Sequence, residues 1–138
     1  MMLKKSELVI AQEFSPSEYD WRIGILDNKP FYACRYYMAK GHWQIYNWDA
    51  KEKDDQDGNA DCLPIEKVPK KILEAALKSA KLMGKGLYGI DIKEVGGKPL
   101  VIEINDNPNI DFGVEDGYYG EQVYIEIISA LKERLEKK

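Results

Sequence analysis

Gly89-Ile90-Asp91-Ile92, followed beyond Gly96-Gly97 by Leu100-Val101-Ile102-Glu103-Ile104-Asn105-Asp106-Asn107-Pro108-Asn109, decides how this 138-residue chain reads. Ile90, Ile92, Leu100, Ile102 and Ile104 alternate with other residues, the period of strands with one buried face. Two strands are expected, Leu87 to Val95 and Leu100 to Asn105. Asp91, Glu103 and Asn105 fall on the complementary positions, and Glu103 and Asn105, two apart, must share a side. Whether Asp91 joins them depends on register. Directly opposed residues in a hairpin keep a constant index sum, and that of 91 and 103 is even, which demands an odd-length connection. A two-residue Gly96-Gly97 turn would put Asp91 on the other face. Pro99 cannot donate a ladder hydrogen bond, so we expect a longer connection of three or five residues. Two carboxylates and an amide oxygen suit a hard cation. Mg²⁺ takes oxygen ligands, keeps several waters, and is held by one or two carboxylates plus substrate phosphates. The same spacing also fits acids on the solvent face of a half-exposed sheet, and spacing alone does not separate the two.

Upstream, Leu8 to Phe14 reads as a short strand, broken by Ser15-Pro16-Ser17. Tyr19 to Leu26 and Pro30 to Met38, rich in aromatic and β-branched residues around Asp27-Asn28-Lys29, read as a β-hairpin. Gly41 to Cys62 has no clear period, and residues 48–62 are expected to be a mobile acidic loop. Its Asp-rich core invites a calcium reading, but neither Gly58 nor Glu66 can be set in EF-hand register, so a solvated loop is the better reading. Pro69 opens a helix whose apolar face is Ile72, Leu73, Ala76, Leu77, Ala80 and Met83, ended by Gly84 and Gly86. A last helix is expected from about Asp116 to Gly120 onward. Its apolar stripe is Val123, Ile127, Ile128, Leu131 and Leu135, with Lys132, Arg134, Lys137 and Lys138 at the negative end of its dipole. The predicted fold class is α+β, an antiparallel sheet with helices packed on one face, as a single domain over 1–138.

Charge and composition narrow the function. A net charge of −4 gives no basic stripe for a nucleic acid. No apolar run approaches the roughly 20 residues that span a bilayer, and the charged start has no signal-peptide core, so a cytoplasmic location without membrane contact is expected. Cys34 and Cys62 are the only cysteines and are expected to be reduced and structural. His42 is the only histidine, which excludes a metal cluster built on several histidines within the chain. The chemistry must run on carboxylates, amides, Lys or Arg.

The hairpin segment closely resembles the metal-binding end of the ATP-grasp superfamily, nearest to the RimK-like and glutathione synthetase-like carboxylate–amine ligases. The resemblance implies that Asp91, Glu103 and Asn105 bind divalent ions, Mg²⁺ or Mn²⁺, that bridge ATP phosphates. Gln12-Glu13-Phe14 resembles the interdomain strand whose backbone binds adenine, at Glu13 and Phe14. Asp20-Trp21-Arg22 resembles an Asp-x-Arg motif in which Asp20 reaches the ribose and Arg22 approaches phosphate or substrate. Asn47 resembles an Asn near the nucleotide. Ile45-Tyr46 departs from the family's Arg-Ser pair, and Arg35 is a candidate to supply that charge. Asn107-Pro108-Asn109 replaces the commoner Ser-Pro-Gly turn.

Each match has an ordinary alternative. Glu13 also reads as a strand-end charge, Asp20 and Arg22 as a surface pair, and Arg35 as cover for aromatic surface. His42-Trp43 reads as a loop anchor, and Tyr118-Tyr119 as packing.

The resemblance implies an ATP- and Mg-dependent ligase. It would join a small-molecule or peptide carboxylate to an amino acid through an acyl phosphate and release ADP. The family's N-terminal half, with its glycine-rich loop, would precede Leu8, and no phosphate-cradling Gly-x-x-x-x-Gly-Lys motif is present. The chain is therefore expected to be the C-terminal half, inactive or nearly so by itself. The competing expectation is a non-catalytic module that binds a nucleotide or a partner, dimerising through Trp21, Phe31, Tyr36, Tyr37 and Trp43.

Overall fold

Two tight reversals organise the sheet. Asp27 and Asn28 (φ 50° and 63°) turn β1 (Tyr19–Leu26) into β2 (Lys29–Tyr37). Positive φ at both central residues matches the right-handed twist of the flanking strands. After β3 (Ala60–Cys62) and α1 (Lys70–Met83), Gly96 and Gly97 (φ 54° and 74°) turn β4 (Leu87–Val95) into β5 (Lys98–Asn105). The chain ends in α2 (Glu115–Tyr119) and α3 (Gln122–Glu136). The computed structural model describes residues 11–52 and 55–136. Its five strands form one antiparallel sheet in the order β3-β2-β1-β4-β5.

The Gly96-Gly97 connection has two residues, not the three or five expected. Pro99 is tolerated because β5 is an edge strand, where a missing donor costs nothing to a neighbour. With an unbroken ladder this turn would send Asp91 to the face opposite Glu103. Instead the register shifts between Asp91 and Ile92: Ile92 opposes Val101, whereas Asp91 opposes Glu103 and Gly89 opposes Asn105. Ile102 is the extra residue. The bulge restores the parity inside the ladder, where turn chemistry gives no hint of it.

The main core lies on one sheet face. Trp21, Ile23, Ile25, Ala33, Ile90 and Ile92 point there and meet Ile72, Ala76 and Ala80 of α1. These helix residues recur every four positions, and the two alanines let α1 lie close against the strands. The opposite face carries Tyr32, Cys34 and Tyr36, packed with Val123, Ile127, Val114 and Tyr119. The α+β class is as expected, but the helices divide between the two faces. Alternation in β2 leaves Tyr32, Cys34 and Tyr36 apolar on the side away from α1, and that side needs cover of its own.

Other expectations shift with this arrangement. The last helical segment breaks at Gly120 (φ 64°) into α2 and α3. Of the stripe expected on α3, Val123 is buried and Ile127 partly so, but Ile128, Leu131 and Leu135 are exposed, and the far end of the helix meets the sheet through Arg134, paired with Asp27 of the β1–β2 turn. Lys137 and Lys138 lie outside the described residues, as do residues 8–10 of the first expected strand. Residues 11–14, its described part, join no strand. The end of the acidic stretch forms β3, and residues 56 and 58 are drawn in by Asn47 N–H to Gln56 O (2.7 Å) and Gly58 N–H to Ile45 O (2.8 Å). Cys34 and Cys62, expected as thiols, are paired in a disulfide, since β3 sets them directly opposite in the β2–β3 ladder. Trp21 and Tyr36 are core residues (3% and 5% exposed) and cannot dock a partner. Among the described residues no helix is long and apolar enough to cross a membrane.

Candidate functional site

A cleft of about 960 Å³ opens on the sheet face away from α1. Its floor includes Asp20 of β1, Asp91 and Lys93 of β4, and Ile102 and Glu103 of β5. Its rim is formed by residues 12–15 and by the segment carrying Trp43, Tyr46 and Trp48. Trp43 and Trp48 are 58% and 80% exposed. The β1–β4 ladder sets Arg22 opposite Asp91, and the β4–β5 bulge sets Asp91 opposite Glu103. Glu13, Phe14, Asp20, Asp91 and Glu103 thus line one cleft, from three strands and a loop.

Arg22 binds Asp91 with both forks of its guanidinium, Nε to Oδ1 and Nη2 to Oδ2, each at 3.0 Å. It lies over the Tyr36 ring, 4.7 Å from the centroid, with Nη1 3.9 Å from Asp111 Oδ2. Burial works against the charge of Arg22, but the hydrogen bonds and field of Asp91 outweigh it and raise its pKa. The guanidinium stays charged. Tyr36 Oη lies 2.8 Å from Asp111 Oδ2 and 2.9 Å from Glu115 Oε1. The Asp111 backbone N–H donates to Glu115 Oε2 (2.8 Å).

Glu115 is fully buried. Burial pushes its carboxyl above the ordinary value, against the pull of hydrogen bonds from the Asp111 N–H and Tyr36. Burial, then the field of Glu115, also pushes the Tyr36 phenol up, so it stays protonated. The Tyr36 hydroxyl is shared between Asp111 Oδ2 and Glu115 Oε1, and it ties the two carboxyl groups together.

A second cluster holds Asp20. Lys93 Nζ donates to Asp20 Oδ1 and Ser17 Oγ, both at 2.7 Å, and Ser17 Oγ donates to Asp20 Oδ1 at 2.9 Å. Among the described residues, Lys93 is the one cationic side chain lining the cleft, beside the carboxylates of Glu13, Asp20, Asp91 and Glu103.

The remaining expected residues are less well placed. Asn105 shares the side of Glu103, but its Oδ1 accepts the Asn107 N–H (2.9 Å) in a local turn. Asn47 Oδ1 accepts the Asp49 N–H (3.2 Å), and Asn47 does not line the cleft. Arg35 is not part of the site. It opposes Trp21 in the ladder, so alternation turns it to the α1 side. There it forks onto Asp61 and lies over the Tyr19 and Tyr37 rings.

Tyr36, Lys93, Asp111 and Glu115 join the site although no motif marks them. The i, i+4 spacing of Asp111 and Glu115 just past Asn-Pro-Asn is the one sequence signal for them, and burial of an acid leaves no trace in sequence. Among the described residues, no group of three or more His, Cys, Asp or Glu side chains is gathered to hold a metal. Asp91 and Glu103 offer two hard oxygen donors side by side, which fits Mg²⁺ if phosphate and water complete the shell.

Paired carboxylates on a sheet floor thus lie beside a rimmed cleft. No family model matches the chain. It is 27% identical over 132 residues to a probable alpha-L-glutamate ligase of Shewanella halifaxensis (strain HAW-EB4), a match covering 94% of this chain and 25% of that protein. A D-alanine–D-alanine ligase from Bacillus anthracis superposes with a TM-score of 0.63 at 18% identity, over 90% of this chain and 43% of its own. The ATP-grasp ligase PsnB, solved with Mg, ADP and a phosphomimetic variant of its minimal precursor, gives 0.54 at 16%, over 86% of this chain and 32% of its own. The resemblance read from the sequence therefore holds, and the chain has the ATP-grasp fold over the part of these ligases that it covers. It spans a quarter of the length of the curated relative and less than half of either solved structure.

Proposed function

We propose that this chain is the Mg²⁺- and ATP-phosphate-holding half of an ADP-forming carboxylate–amine ligase that works through an acyl phosphate. The observation that carries the reading is Asp91 directly opposite Glu103 on the floor of a nucleotide-sized cleft. Asp91, Glu103 and Asn105 would hold Mg²⁺ or Mn²⁺ together with ATP phosphate oxygens and water. A cation bound there supplies neutralisation of the charge on the transferred phosphoryl group.

The chain's own groups bind and orient. Glu13 and Phe14 offer backbone groups to adenine, Asp20 meets the ribose, and Asn47, turned into its own loop, has no contact with the nucleotide. Arg22 stabilises phosphate or acyl phosphate, and Arg35 has no part. The substrates on this reading are a small-molecule or peptide carboxylate, phosphorylated by ATP, and an amino acid whose amine displaces phosphate. A second α+β subdomain forms the other wall of the clamp, and without it positioning and exclusion of water fail. We place the work in the cytoplasm.

The test is calorimetric titration with Mg²⁺ and ADP, comparing the native chain with Glu103→Gln. Metal-dependent ADP binding is expected in the first and lost in the second, and equal binding in both defeats the reading.

One observation favours a second reading, a non-catalytic partner-binding module: Ile125, Ile128, Leu131 and Leu135 stand exposed along α3. Light scattering at rising concentration separates the two. A dimer with no metal-dependent ADP binding selects the module, and a monomer that binds selects the ligase half.

A further inference from the structure

Asp91 meets two demands that conflict. As a metal ligand it must offer an oxygen and its charge to a cation, yet both of its oxygens are engaged by Arg22. A divalent ion on that carboxylate would also sit against the guanidinium, a like charge at close range in a partly buried site. Arg22 has a second carboxylate within reach. Its Nη1, the nitrogen Asp91 leaves free, faces Asp111 Oδ2 at 3.9 Å, about 1 Å beyond hydrogen-bonding distance. Asp111 is itself held from two sides, by the Tyr36 phenol on its carboxylate and by the buried Glu115 on its backbone N–H. The Tyr36 ring lies beneath the guanidinium, so the cation can slide across it without losing that contact.

We infer that Asp111 is a positioning residue that takes Arg22 from Asp91 and so frees Asp91 to hold the divalent cation. The inference rests on the metal site proposed above. Glu115 and Tyr36 keep Asp111 where the guanidinium can reach it. The cation and Arg22 thereby exchange places on one carboxylate, and the positive charge of Arg22 stays within reach of Asp91 on the cleft floor.

The experiment reads Mn²⁺ affinity by electron paramagnetic resonance of the free ion, using the full chain. Asp111→Asn, which still accepts from Tyr36, is expected to weaken Mn²⁺ binding about five- to tenfold, the size of one lost ion-pair contact. Arg22→Met removes the competitor, and in that background Asp111→Asn is expected to change affinity by less than about twofold. Tyr36→Phe loosens Asp111 without altering any charge and is expected to weaken Mn²⁺ in the same direction, which decides the matter if Arg22→Met does not fold. A merely electrostatic role for Asp111 would persist in the Arg22→Met background and be absent in Tyr36→Phe, and either outcome overturns the exchange. Native affinity in Asp111→Asn overturns it too. Glu103→Gln is the separate control: if it leaves Mn²⁺ binding intact, the metal site itself is wrong, whereas its loss alongside an unaffected Asp111→Asn condemns only the exchange.

Discussion

Glu115 concentrates the energetics of the site at a single residue, because a fully buried carboxyl must either keep its proton or find compensation for a buried charge. Burial raises its folded pKa above the ordinary carboxyl value of 4.5. Below 4.5 the group is protonated in both folded and unfolded states. As pH rises from there to the folded value, the unfolded chain releases the proton first. Folded molecules then hold more protons, and stability falls with pH until the folded group ionises as well. Urea unfolding followed from pH 4 upward should therefore show a decline in that window, with the one-proton slope of about 1.4 kcal/mol per pH unit as its ceiling. Glu115→Gln should flatten it, since the amide can accept from the Asp111 N–H and donate to Tyr36. A slope unchanged in the variant would mean that another group is responsible. Alternation makes Arg22 and Asp91 legible as polar positions on paired strands. The burial of Glu115 is not legible, because it depends on α2 folding back over β2.

At the scale of elements, α3 buries apolar side chains only at its first turns, and its far end is held by the ion pair of Arg134 with Asp27 in the β1–β2 turn. Val123→Ala should cost about 1–3 kcal/mol, since Val123 is 1% exposed, whereas Ile128→Lys and Leu135→Lys should each stay within about 0.5 kcal/mol. Chemical denaturation of the three variants checks this, and a large loss in either lysine variant would show that α3 packs on more than its first turns. The edge strand β3 is a second such element. It is three residues long and joined to β2 by the Cys34–Cys62 bridge, which spans 28 residues of sequence. Reduction should lower stability by about 3–4 kcal/mol if loop-closure entropy dominates. Unfolding midpoints with and without a thiol reductant test it, and equal midpoints would mean that the ladder alone secures β3. The bulge at Asp91 belongs to this scale as well. Strand positions and the Gly-Gly turn are written in local sequence, but a one-residue slip in the ladder is settled by which side chains the rest of the sheet can bury.

For the molecule as a whole, the cleft poses an electrostatic problem. Among the described residues, four carboxylates and one lysine line it, so a polyphosphate entering alone meets mostly its own sign. ADP binding is therefore expected to be abolished by a chelator and restored by excess Mg²⁺, as read by calorimetry. Undiminished binding in the chelator would place the nucleotide elsewhere. By itself the sequence determined the four longest strands, the helix that covers the main core, and the polar trio on the β4–β5 hairpin. Those follow from periodicity and turn residues acting over a few neighbours. Only the tertiary structure decided that the turn has two residues and that a bulge brings Asp91 to Glu103. It also turned Arg35 to the other face, joined Cys34 to Cys62, and buried Glu115 behind Tyr36. Each of these depends on contacts between segments far apart in the chain, where the energy of burial outweighs local preference.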